Sequence, residues 1–169
     1  MIRDSAPSRV NGSKLNTTRA DRVEGYYPFG CVIVRDGEVI GEGCANVGLE
    51  HDPTGHGEIV AIRDACKRLK TVTLKGCDLY TSCEPCSLCV SAIWLAKIDK
   101  VYYGAAIEDT LVLGADFSPL RTEVGKPIND RDMPAEQVLG DQGRTLLEDW
   151  AKVIQQDQAL QADMQNMTE

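Results

Sequence analysis

The sequence predicts an α/β domain whose mixed β-sheet is covered on both faces by helices. Three observations carry this. The expected elements run strand, strand, helix, strand, helix, strand, helix. The first two strands flank Asp36-Gly37, a hairpin turn signal that makes them antiparallel neighbours. Helices separate the later strands, the alternation expected where strands pair through crossovers. A chain of 169 residues with 43% hydrophobic residues fits one domain with a real core.

The elements follow in order. Residues 1–24 are polar, with few and aperiodic apolar positions; they predict an N-terminal arm with at most a short helix over Thr17–Val23. Cys31-Val32-Ile33-Val34 is a short β-branched run, as a buried strand requires. Glu38 to Ala45 returns as the second strand, with Gly41 and Gly43 permitting close approach or a bulge. Asn46 to Gly55 is a loop, and Thr54 is a candidate cap for the helix that follows. In that helix Ile59, Ile62, Cys66 and Leu69 recur at three- and four-residue steps, so one face is buried.

Cys77 to Thr81 is the third strand. Pro85 suits a first helical position, and Cys86 to Ala96 make an apolar helix. Asp99 to Gly104 is the fourth strand. Glu108 to Leu113 can form a short helix closed by Gly114, and residues 115–134 read as loop, with Pro119, Gly125, Pro127 and Pro134. A short segment follows to Leu139. Gln142 to Gln161 is helical in composition, with Leu146, Leu147, Trp150, Val153 and Ile154 on one side. The expected organisation is an arm over 1–24, a domain over 25–155 that includes this helix, and a frayed polar tail over 156–169.

The net charge is −8, from 18 basic and 26 acidic residues. That disfavours a nucleic-acid partner, because such proteins usually carry a basic face. Seven cysteines, no secretory signal and no long apolar run predict a cytoplasmic protein with reduced thiols and no membrane segment. Cys31, Cys44, Cys66 and Cys77 lie in or beside apolar runs and are expected in the core.

Two segments carry chemistry: Gly55-His56-Gly57-Glu58 and Ser82-Cys83-Glu84-Pro85-Cys86-Ser87-Leu88-Cys89. They offer His56, Cys86 and Cys89 to a metal, with Glu58 two residues from the histidine. Three protein ligands around Zn2+ keep a fourth position for water or substrate, the arrangement of a catalytic site. A carboxylate beside that position can take a proton and pass it on. Cys86 and Cys89 are three residues apart and share a helix face. A redox pair would leave His56-Gly57-Glu58 unexplained. A structural zinc site would need a fourth ligand, and the other histidine, His51, sits in a loop-like His-Asp-Pro-Thr run.

At these residues the chain resembles the cytidine-deaminase-like zinc deaminases, over roughly residues 27–155. The blocks from Asp52 to Arg63, from Tyr80 to Trp94 and from Lys126 to Val138 are similar to bacterial guanine deaminases. The resemblance implies a three-layer α/β/α fold with a mixed central sheet of about five strands. It implies a hydrolytic aminohydrolase of nucleobase metabolism that deaminates a free aminoheterocycle, with guanine leading. Zinc would be held by His56, Cys86 and Cys89, and Glu58 would shuttle protons. Substrate would meet Tyr27, Phe29, Ala45, Asn46, Gly57, Glu84, Pro85, Asp116 and Phe117. It further implies a homodimer, with the Trp150 helix a candidate for exchange between subunits; packing on its own subunit is the alternative.

Departures from the family pattern fall at pocket positions. Gly57 stands where alanine is usual. Ala45 stands where an asparagine commonly holds substrate, with Asn46 next to it; Phe117 stands where an aspartate contacts guanine, with Asp116 next to it. Tyr26-Tyr27 replace glycines, and the aromatic that closes the pocket from the C-terminus has no clear equivalent. Tyr26, Phe29, Trp94 and Phe117 could form an aromatic pocket, although Phe29 and Trp94 are expected in the core ahead of direct contact, since aromatic residues more often pack than bind. The open alternatives are deamination of cytosine, a pterin, an aminotriazine or creatinine, deamination of adenosine in transfer RNA, and a non-catalytic zinc-binding dimer module.

Overall fold

The computed structural model describes residues 26–168, with side chains to residue 166. The arm over 1–24 and its short helix lie outside the described residues. The chain divides into two compact units between Phe117 and Ser118.

The first unit is built on a four-stranded mixed sheet in the order β2-β1-β3-β4. Strand β1 (Gly30–Arg35) pairs antiparallel with β2 (Glu38–Cys44) and with β3 (Asp78–Cys83); β3 pairs parallel with β4 (Lys100–Ala105). The α/β class is as expected, with four strands among the described residues rather than about five. Beyond β4 the chain turns into a 3₁₀ segment (Ile107–Leu113) and supplies no fifth strand.

Strand β1 is buried from Gly30 to Val34, which explains its unbroken apolar run. Asp36 and Gly37 take φ 51° and 82°, the left-handed pair of a tight hairpin. The register slips between Ile33 and Val34, leaving Ile40 as the extra residue of a bulge.

Helix α2 (Gly57–Leu69) lies against β2 and β1. Its buried face centres on Ile59, Ala61 and Ala65, and Leu69 is exposed. The approach depends on two glycines. A Cβ on Gly41 would meet the Ala65 Cβ at 2.6 Å, and one on Gly43 would collide with the Gly57 carbonyl. One core layer joins Ile33 and Leu79 of the sheet to Ala61, Ala65 and Ile93, the last from α3 (Ser87–Leu95). The other sheet face carries Val32, Val34 and Tyr80, with Tyr80 stacked on Tyr102 at 4.6 Å between centroids. Of the cysteines expected in the core, Cys31 and Cys77 are buried, while Cys44 and Cys66 are half-buried at its edge.

The 3₁₀ segment ends at Gly114, φ 73°, as its sequence predicts. A short helix α1 (Val47–Glu50) interrupts the expected loop, and His51 closes it at φ 51°.

The second unit corrects three expectations. Residues 115–134 contain helix α4 (Ser118–Gly125), since Pro119 falls in its first turn, where a missing N–H costs nothing. Residues 134–139 form no regular element before α5 (Gly140–Gln156). The tail is not frayed over 158–168 but forms α6 (Gln158–Thr168), separated from α5 at Asp157, whose carboxylate accepts the Ala159 and Leu160 N–H groups. Along α5, Leu146, Leu147, Trp150 and Val153 are exposed. Among the described residues no helix is long and apolar enough to cross a membrane.

Candidate active site

His56 is the residue before α2, and Cys86 the residue before α3. Both helix starts open at the carboxyl end of β3, the edge where open α/β sheets usually bind ligands. The expected caps do not form. Thr54 instead gives its N–H and hydroxyl to Asp52 Oδ1, at 2.8 and 2.7 Å, bracing the loop ahead of His56. Pro85 lies just outside α3 rather than at its first position.

His56 Nδ1 lies 3.5 Å from Cys86 Sγ and 3.4 Å from Cys89 Sγ, and the two sulfurs are 3.7 Å apart. A tetrahedral zinc with ordinary bond lengths would separate its sulfurs by roughly 3.8 Å and sulfur from nitrogen by about 3.6 Å. The donor set therefore fits zinc in both chemistry and spacing. Among the described residues these three are the one cluster of this kind.

Electrostatics separate the two thiols. Contact with Cys89 and then with His56 pulls Cys86 down to about 4, against its burial. Cys89 moves upward, through its contact with Cys86, then burial and the Glu58 charge. His56 is raised above its usual 6.5, first by its hydrogen bond to Cys86. The start of α3 adds its own bias toward thiolate at both sulfurs.

Glu58 is buried in the first turn of α2. Its Oε1 accepts the Thr81 hydroxyl at 3.1 Å, and its Oε2 lies 3.3 Å from Cys89 Sγ. The carboxylate thus stands beside the metal cluster with one oxygen fixed by a strand residue. Thr81 has no sequence signal of its own; only its inward register on β3 betrays it.

A cavity of about 260 Å³ opens above this cluster. Of the expected contact residues, Tyr27, Phe29, Ala45, Glu84 and Phe117 line it, along with His56, Glu58, Cys86 and Cys89. Asn46, Gly57, Pro85 and Asp116 do not. Asn46, at φ −122° and ψ 24° ahead of α1, lines a separate surface hollow with Asp52 and Arg63, its Oδ1 lying against Gly55. Gly57 is packed on the Phe29 carbonyl, where a Cβ would come within 2.6 Å. Asp116 is exposed beside the inward-facing Phe117. Trp94 is neither core nor pocket: it is 62% exposed, with Lys97 Nζ 4.1 Å above its ring. Tyr26 is exposed and outside the cavity. The residues not anticipated are Val47 of α1, Pro53 of the loop before α2, Cys83 at the end of β3, Ile107 and Thr110 of the 3₁₀ segment, and Ala115 just after it.

Comparison with known proteins places this geometry. Residues 12–105 match the family model for the cytidine and deoxycytidylate deaminase zinc-binding region. The guanine deaminase of Bacillus subtilis is 48% identical over 111 residues, 66% of this chain and 71% of that one. A tRNA-specific adenosine deaminase of Aquifex aeolicus is 44% identical over 82 residues, 48% of this chain and 54% of its own length. The X-ray structure of the Bacillus subtilis guanine deaminase superposes with a TM-score of 0.77 at 39% identity, covering 82% of this chain and 88% of that one. The chain belongs to the cytidine and deoxycytidylate deaminase family of zinc-binding deaminases.

Proposed function

We propose that the protein hydrolyses the exocyclic amine of a free aminoheterocycle, with guanine the leading substrate, giving xanthine and ammonia. The observation that carries this is Glu58, buried and hydrogen-bonded beside the His56, Cys86 and Cys89 cluster. In this reading those three residues would hold zinc, which would supply an acidified water at neutral pH. Glu58 takes a proton from the attacking water and delivers it to the ring nitrogen beside the amine-bearing carbon. Water oxygen bonds to that carbon, and the carbon–nitrogen bond breaks. Glu58 passes a further proton to the departing amine, which leaves as ammonia. Thr81 holds the carboxylate in line throughout.

Net charge of −8 favours a small neutral substrate over transfer RNA, although tRNA-specific relatives share the motif. A non-catalytic zinc module would have no use for a buried carboxylate at this place. The exposed apolar stripe of α5 supports a homodimer that exchanges C-terminal segments. Reduced, unpaired cysteines support a cytoplasmic location. Ammonia release from zinc-loaded protein tests the function across guanine, cytosine, adenine, guanosine, cytidine, a pterin, ammeline and creatinine. Turnover of guanine supports the proposal as stated; turnover of another ring with guanine inert changes the substrate; silence across the panel with zinc bound overturns it.

A further inference from the structure

Among the described residues the cavity lining is mostly apolar: beside Glu58, Glu84, Thr110 and the metal-binding cluster it carries Tyr27, Phe29, Ala45, Ile107 and Phe117. Ala45 is locked in place by a short backbone ladder, Tyr27 N–H to Ala45 O at 3.0 Å and Ala45 N–H to Phe29 O at 2.8 Å. Asn46, next along, gives its backbone N–H to the Gly55 carbonyl at 2.9 Å and lines a separate hollow. Phe117 packs with the Ile59, Cys86 and Cys89 cluster and stands edge-on to His56, 6.4 Å between centroids at 71°.

Two polar side chains of the lining, Thr110 and Glu84, are engaged by the protein itself. The Thr110 hydroxyl serves the Ile107 and Ala115 carbonyls at 2.6 and 2.8 Å. Glu84 Oε2 accepts the Ile107 N–H at 3.2 Å. These bonds hold the loop after β4 closed against the pocket.

We propose that this site recognises its ring by shape and stacking rather than by hydrogen bonds to the edge away from the amine, and that Ala45 and Phe117 set this permissiveness. The substrate class is then flat rings with an amine on an amidine carbon, whether or not the far edge carries an oxo group. This rests on the deaminase reading above. Magnitudes separate the two kinds of pocket. A site that hydrogen-bonds a substrate group rejects an analogue lacking it by about 10⁴–10⁵, whereas an apolar pocket discriminates by only about 10–200-fold.

The test uses guanine and 2-aminopurine, which lacks the 6-oxo group. Zinc-loaded Glu58→Ala protein, expected to bind without turnover, is titrated with 2-aminopurine by its fluorescence, and guanine is measured by competition. The wild-type protein gives the ratio of kcat/KM for the same pair. Dissociation constants within about 200-fold of each other are expected in the binding experiment. Ala45→Asn and Phe117→Asp, made separately, should each shift the ratio toward guanine by about tenfold, one new hydrogen bond's worth. A guanine preference above roughly a thousand-fold without either substitution overturns the proposal, as does an unmoved ratio in both folded variants. Equal binding with no ammonia from either ring or from any other ring of the panel sinks the deaminase reading and leaves the recognition claim standing; failure of both rings to bind overturns the recognition claim.

Discussion

The Thr81 hydroxyl donates a hydrogen bond of 3.1 Å to Glu58 Oε1, both groups being buried, and ties the helix that carries the carboxylate to the central sheet. A bond to a charged acceptor contributes about 1.5–3 kcal/mol. Thr81→Val should therefore lower kcat by roughly ten- to a hundred-fold. Zinc content should remain one per chain, because Thr81 touches none of the three ligands. Metal analysis beside steady-state kinetics checks this, and loss of zinc together with activity would contradict a positioning role.

Gly57→Ala tests how closely the pocket wall approaches α2. The new Cβ would sit 2.6 Å from the Phe29 carbonyl, a backbone atom that cannot swing aside. Overpacking of this kind typically costs about 1–3 kcal/mol. Denaturant unfolding should show a loss of that size, and the position of Phe29 should shift enough to raise KM. An unchanged midpoint would mean the wall yields freely.

Asp52 links loop stability to pH. Its hydrogen bonds from Thr54, and then Arg63 beside it, hold its carboxyl below the usual 3.8. The folded state thus binds this proton less readily than the unfolded chain. The stability Asp52 contributes is present above 3.8 and is lost as pH falls through its lowered native value. Asp52→Asn should melt below wild type at neutral pH, with the gap closing as pH falls below 3.8. A gap that persists into strong acid would contradict this origin.

The stripe of Leu147 and Trp150 on α5 predicts assembly. Trp150→Glu should convert a dimer to monomers in sedimentation equilibrium. A dimer unaffected by both Trp150→Glu and Leu147→Glu would show that another surface mediates pairing.

Much of this was legible in the sequence because the strongest signals are local. The β1 run, the Asp36-Gly37 turn and the metal motifs each depend on residues a few places apart, and their elements form where expected. Pocket contacts are harder to read, because residues adjacent in sequence can face different surfaces, and at Asn46 the backbone leaves the extended region to start α1. Ala45 and Phe117 point in while Asn46 and Asp116 do not, a matter of register that spacing alone leaves open. On α2, Ile59, Ile62 and Cys66 pack inward as their spacing predicts while Leu69 is exposed; Ala61 and Ala65 are buried deepest because Gly41 and Gly43 bring the backbones together. Helix α4 was masked by its proline content, since Pro119 starts the helix rather than breaking it.

In the proposed reaction Glu58 acts in chemistry and not in holding the metal. Ammonia release by zinc-loaded wild type and Glu58→Gln on the best ring of the panel, with zinc counted in the same samples, tests this. Equal zinc, intact ring binding and a fall in kcat of at least about 10²–10⁴ are expected. Full turnover by the variant, or zinc lost in step with activity, would contradict this role.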